Sequence, residues 1–144
     1  MGEKDSGILP RELVLEALPE NLPKVQSFVE ELLEEAACPM KTLMQIGVVV
    51  EEIFVNIAHY AYGKGRGKAA VRVEISGKPP AAVITFADRG VPYNPLARED
   101  PDVTLPVEAR EIGGLGIFMT KKLMDEVSYE YRDGRNILTL KKKL

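Results

Sequence analysis

An α+β fold, with helices in one layer packed against a largely antiparallel sheet in the other, is what this sequence predicts. Three observations carry that reading. Two consecutive segments repeat apolar residues at helical spacing, and two later pairs of segments alternate apolar and polar residues as hairpin strands do. Strands and helices are also grouped rather than strictly alternated, which favours a two-layer sandwich over a parallel α/β sheet. With 144 residues, 45% of them hydrophobic and 28% charged, residues 1–144 read as a single domain with one core.

In order along the chain, residues 12–18 (ELVLEAL) form a short β-like run, punctuated by Pro19, Asn21 and Pro23. Val25, Phe28, Val29, Leu32, Leu33 and Ala36 then mark an amphipathic helix. Pro39 opens a longer helix running to about Tyr62, stopped by the glycines at 63, 65 and 67. Val71, Val73 and Ile75 alternate with Arg72 and Glu74, and residues 81–87 (AAVITFA) answer them across a Gly-Lys-Pro-Pro turn. Four prolines and many charges between Val91 and Gly114 interrupt all periodicity, and residues 95–112 read as a functional lid or a disordered loop. Residues 116–125 return to helix, and residues 127–131 and 136–141 form a last hairpin about Asp133-Gly134.

Composition narrows the function. A net charge of −3 argues against a dedicated nucleic-acid binder, so protein or small-molecule partners are expected. Cys38 is the only cysteine, which excludes an intramolecular disulfide and a cysteine-based zinc site and fits a reducing cytoplasm. The first ten residues carry no signal-peptide pattern, and no run is expected to reach the roughly 18 apolar residues of a membrane span.

Three groups of residues carry chemistry. On the long helix, Leu43, Gly47, Val50, Phe54, Ile57, Ala58 and Ala61 are expected to form the core stripe, with Glu52 and Asn56 roughly opposite in a collar of Val48, Val49 and Val55. A polar pair in such a collar needs a partner, although the spacing alone also fits the solvated side of an ordinary helix. At the end of the AAVITFA strand, Asp88 offers an acceptor for an exocyclic amine and Gly90 lets a flat ring approach the backbone; a plain turn uses the same residues. Gly113, Gly114, Leu115 and Gly116 precede a helix, where exposed N–H groups and the dipole suit phosphate. Neither a Walker motif nor a dinucleotide-fold glycine motif occurs.

Taken together and in this order, E-x-x-x-N, D-x-G-x-x-Y-N-P and GGLG resemble the boxes of the gyrase, heat-shock-chaperone, histidine-kinase and MutL ATPase superfamily. Within it, EEIFVNIAHYAY, DRGVPYNPL and GGLGIFMTKKLMDEVSY are similar to the anti-sigma-factor serine kinases, over nearly the whole chain from about Arg11. The resemblance implies a Bergerat-type ATP-binding domain with a mixed, largely antiparallel sheet. It implies Glu52 as general base, Asn56 as ligand of an ATP-bound Mg²⁺, Asp88 on the adenine amino group and Gly90 beneath the ring. Thr139 is then a second contact to the base, and Gly113, Gly114, Leu115 and Gly116 cradle phosphate. The implied phosphoryl acceptor is an anti-sigma-factor antagonist; a sigma factor is a second candidate partner and a homodimer a candidate assembly. The alternative is an ATP-dependent binding module without transferase activity. Tyr60 stands where many relatives have a histidine, and His59 receives no role.

Overall fold

The computed structural model describes residues 8–97 and 115–144. Its elements follow the predicted order: β1 (Ile8–Glu16), α1 (Leu22–Glu35), α2 (Met40–Tyr60), β2 (Lys68–Ser76), β3 (Ala81–Asp88), α3 (Leu115–Leu123), β4 (Glu126–Arg132) and β5 (Arg135–Lys143). The five strands form one sheet in the order β1-β2-β3-β5-β4, and every pairing among the described residues is antiparallel. The expected α+β fold with a largely antiparallel sheet is thus borne out, and no parallel pair occurs among the described residues.

β1 begins four residues earlier than its apolar run because it is an edge strand that pairs with β2 from Ile8 opposite Ile75 to Glu16 opposite Lys68, with an irregularity between Ile8 and Arg11. Pro10 fits such an edge. Just past the end of α1, Ala37 takes a φ of 57°, which lets Cys38 N–H reach the Leu33 carbonyl at 3.0 Å, while Ala37 N–H reaches the Glu34 carbonyl at 2.9 Å. The last hairpin turns through Asp133 and Gly134, both at positive φ, as a two-residue turn with the strand twist requires.

Strand alternation aims Val71, Val73, Ile75, Ile84, Phe86, Leu138 and Leu140 at the helices, and all are buried. α1 supplies Val25, Val29, Leu32 and Leu33, and α2 supplies Ile46, Val49, Val50, Ile53 and Phe54. The α2 stripe is therefore rotated by roughly 60° from the expected one at about 100° per residue. Val49, expected in the collar, lies in the core at 1% exposure, while Val48 is 53% exposed. This rotation carries Glu52 and Asn56 from the far side of the helix to its flank. By length and hydropathy α2 would also pass for a membrane span, contrary to expectation. Here its apolar stripe packs on the sheet and its flanks contact α1 and α3, the position of a core helix.

Candidate functional site

At one end of the sandwich the last residue of β3, the start of β5, the second half of α2 and the first turn of α3 surround a cavity of about 570 Å³. Ile53, Ile57, Phe86, Ile117 and Leu138 give it apolar walls. Asn56, Asp88 and Asn136 bring the amide and carboxylate groups to it. Such a cavity, apolar with a few convergent polar groups, is the general form of a small-molecule site.

Asp88 closes β3 on its inner face and is 7% exposed. Its Oδ1 accepts the Gly90 N–H at 2.8 Å and the Asn136 Nδ2–H at 3.0 Å. Among the described residues no protein donor is recorded for Oδ2, which leaves it free to accept from a ligand in the cavity. Asn136 stands directly opposite Asp88 in the β3–β5 register and is 8% exposed. Its Nδ2 also donates to the Val91 carbonyl at 3.0 Å, and its Oδ1 accepts the Tyr93 N–H at 3.0 Å and the Tyr129 hydroxyl. Burial, ahead of the nearby Asp88 charge, pushes the Tyr129 phenol above its ordinary range, so it remains a donor.

Gly90 does not line the cavity. A Cβ there would fall 2.7 Å from Ala61 Cβ and 2.5 Å from the Ala61 carbonyl carbon. The glycine instead admits the end of α2, and the adjoining Val91 N–H donates to the Ala61 carbonyl at 2.9 Å. Gly90 thus has a packing reason for being glycine, beside the place beneath a ring that the resemblance implies. Gly116 makes a matching approach: a Cβ on it would meet the Glu52 side chain, 2.5 Å from Cγ and nearer still to the carboxylate. Glu52 is partly buried and lies against the first turn of α3, one helical turn before Asn56. Leu115 opens α3. Gly113 and Gly114 lie outside the described residues, as does the expected lid beyond Ala97; its first residues, Pro95–Ala97, form a short 3₁₀ turn.

Thr139 is a further correction. β5 turns Asn136, Leu138 and Leu140 toward the helices, so Thr139 takes the opposite face, between Thr85 of β3 and Ser128 of β4. It does not reach the cavity. The β5 residue that contacts Asp88 is Asn136, unassigned in the sequence reading. Its signal was a polar side chain in phase with Leu138 and Leu140.

The chain belongs to the histidine kinase-like ATPase domain family, whose model matches residues 15–142. Among curated proteins it is similar to the serine/threonine-protein kinase BtrW of Bordetella bronchiseptica, 29% identical over 90 residues. That match covers 62% of this chain and 63% of the relative. It is also similar to the serine-protein kinase RsbW of Listeria monocytogenes, 25% identical over 133 residues, covering 90% of this chain and 84% of the relative. A crystal structure of the RsbU and RsbW domains of Rv1364c from Mycobacterium tuberculosis shares the fold. Its TM-score is 0.68 at 18% identity, covering 95% of this chain and 33% of that one.

Proposed function

We propose that the chain is an ATP-dependent protein serine/threonine kinase whose substrate is a small anti-sigma-factor antagonist. The observation that carries this reading is the convergence of Asp88 and Asn56 on one cavity, with Glu52 a single helical turn from Asn56 against the start of α3. The names of the BtrW and RsbW relatives support the kinase assignment. A sigma factor is the second candidate partner, and the matched residues act as one domain.

In this reading Asp88 Oδ2 accepts the adenine amino group. The phosphates extend along α2 toward the N-terminal end of α3, where the positive end of the helix dipole favours them and where the resemblance implies that Gly113, Gly114, Leu115 and Gly116 cradle phosphate. Asn56 suits Mg²⁺, a hard cation that takes few protein oxygens and keeps water and phosphate for the rest. Among the described residues no cluster of three or more His, Cys, Asp or Glu could hold a metal by itself, so Mg²⁺ would enter with the nucleotide. It would supply neutralisation of phosphate charge. Glu52 takes the proton of the attacking serine or threonine hydroxyl while its oxygen bonds the γ-phosphorus and the bond to the β,γ-bridging oxygen breaks, releasing ADP.

The test is Glu52→Gln beside Glu51→Gln, since Glu51 is exposed on the neighbouring helix position. Glu52→Gln is expected to bind Mg·ATP like the parent and to lose about 10²- to 10⁴-fold in single-turnover transfer to an antagonist protein. Glu51→Gln retains transfer. Full activity in Glu52→Gln overturns the general-base role, and Mg·ATP-dependent partner retention with no transfer by the parent points to a binding module instead.

A further inference from the structure

Asn136 sits in a network whose donors and acceptors have only one consistent assignment. Its amide meets a main-chain donor, the Tyr93 N–H, and a main-chain acceptor, the Val91 carbonyl, each at 3.0 Å. A backbone N–H cannot accept and a carbonyl cannot donate, so the amide cannot flip. Tyr129 adds a second donor on the Oδ1 side. Nδ2 is thereby committed to Asp88 Oδ1, which the Gly90 N–H also reaches at 2.8 Å. A carboxylate oxygen has about two lone-pair positions, and both on Oδ1 are taken.

We propose that Asn136 is a specificity-determining positioning residue, which selects adenine over guanine by filling Asp88 Oδ1 and leaving the cavity a single carboxylate acceptor. Adenine needs only one such acceptor, for its exocyclic amine. Guanine presents a ring N–H and an adjacent amine, two parallel donors that match a carboxylate with both oxygens open, and its O6 is an acceptor that Oδ2 repels. The inference rests on the nucleotide reading and deepens it from the presence of a base to the choice of base. No backbone group could impose this alone, because the Gly90 N–H fills one lone pair of Oδ1 and leaves the other for guanine.

Calorimetry of the full chain with Mg·ATP and Mg·GTP tests it, using Asn136→Ala and Asn136→Thr. Both variants lose the paired contacts to Tyr93 and Val91, but the threonine hydroxyl still supplies one donor toward Asp88. The preference for ATP over GTP is expected to fall about tenfold in Asn136→Ala, the low end for a hydrogen bond to a charged group, and to stay within about threefold of the parent in Asn136→Thr. Loop anchoring alone would move both variants equally, and that result overturns the proposal, as does an unchanged preference in Asn136→Ala. Should circular dichroism find Asn136→Ala unfolded, Asn136→Leu, close to the parent in volume, takes its place. Its side chain has no donor for Asp88; the same tenfold fall is expected, and its absence overturns the proposal. A parent that binds ATP and GTP equally overturns the role of Asn136 and leaves the nucleotide reading standing, whereas a parent that binds neither overturns both.

Discussion

Replacing Gly90 with alanine sets two physical arguments against each other with opposite signs. Gly90 has no left-handed φ, so on backbone grounds alone a methyl group should stabilise the protein by about 0.4–1 kcal/mol through the unfolded chain. Packing says the reverse. The new Cβ would lie 2.5 Å from the Ala61 carbonyl carbon and 2.7 Å from its Cβ, and the carbonyl is backbone at the end of α2 that cannot rotate aside. The loop would have to lift, losing the 2.9 Å bond from Val91 N–H to Ala61 and disturbing the 2.8 Å bond from Gly90 N–H to Asp88. Overpacking of this kind costs about 1–3 kcal/mol and the lost hydrogen bond about 1 kcal/mol, so a net loss of about 1–3 kcal/mol remains after the entropic gain. At roughly 3–4 °C per kcal/mol for a chain of this size, the midpoint of thermal unfolding should fall by about 3–12 °C. Scanning calorimetry without nucleotide measures it, and titration with Mg·ATP should find weaker binding because Asp88 moves with the loop. An unchanged or raised midpoint would refute the close approach of Gly90 to α2.

Three further outcomes are expected. Gly116→Ala brings its methyl against the flexible Glu52 side chain rather than backbone, so stability should change by less than about 1 kcal/mol while phosphoryl transfer drops about 10²-fold; melting and single-turnover rates together check this. Asn56→Ala should weaken ATP about tenfold with Mg²⁺ present and leave binding in EDTA nearly as in the parent, and equal losses under both conditions would remove the metal role. Ala37→Gly should raise the denaturant midpoint, by about 0.5–1 kcal/mol in stability, because Ala37 holds a φ of 57° that glycine adopts without strain.

The elements were legible because each carries its own period. The Asp133-Gly134 turn, the alternation in β2 and the break at residues 63–67 depend on neighbours in sequence and needed no tertiary information. The rotation of α2 was not legible, since Leu43, Val49, Val50, Phe54 and Ile57 admit more than one apolar stripe, and only packing against both the sheet and α1 chooses among them. Asp88 could be found from its place at a strand end. Thr139 was misplaced because a one-residue difference in strand phase moves a side chain to the other face, and that phase is fixed by the pairing of Asp88 with Asn136. The reasons for Gly90 and Gly116 lie in contacts with Ala61 and Glu52, distant in sequence, which no local pattern records.

Those two glycines touch the same helix, and that has a mechanical meaning. Glu52 and Ala61 are nine residues apart on α2, about 13.5 Å along a helix rising about 1.5 Å per residue. An α-helix scarcely stretches, so α2 acts as a gauge rod: the loop that carries Asp88 is set against one mark and the first turn of α3 against the other. The spacing between the two ends of the site is a property of the rod rather than of either loop. A single residue inserted between the marks would lengthen it by only about 1.5 Å but turn one mark by about 100° relative to the other, so the site should tolerate changes in loop length far better than any change in the length of α2.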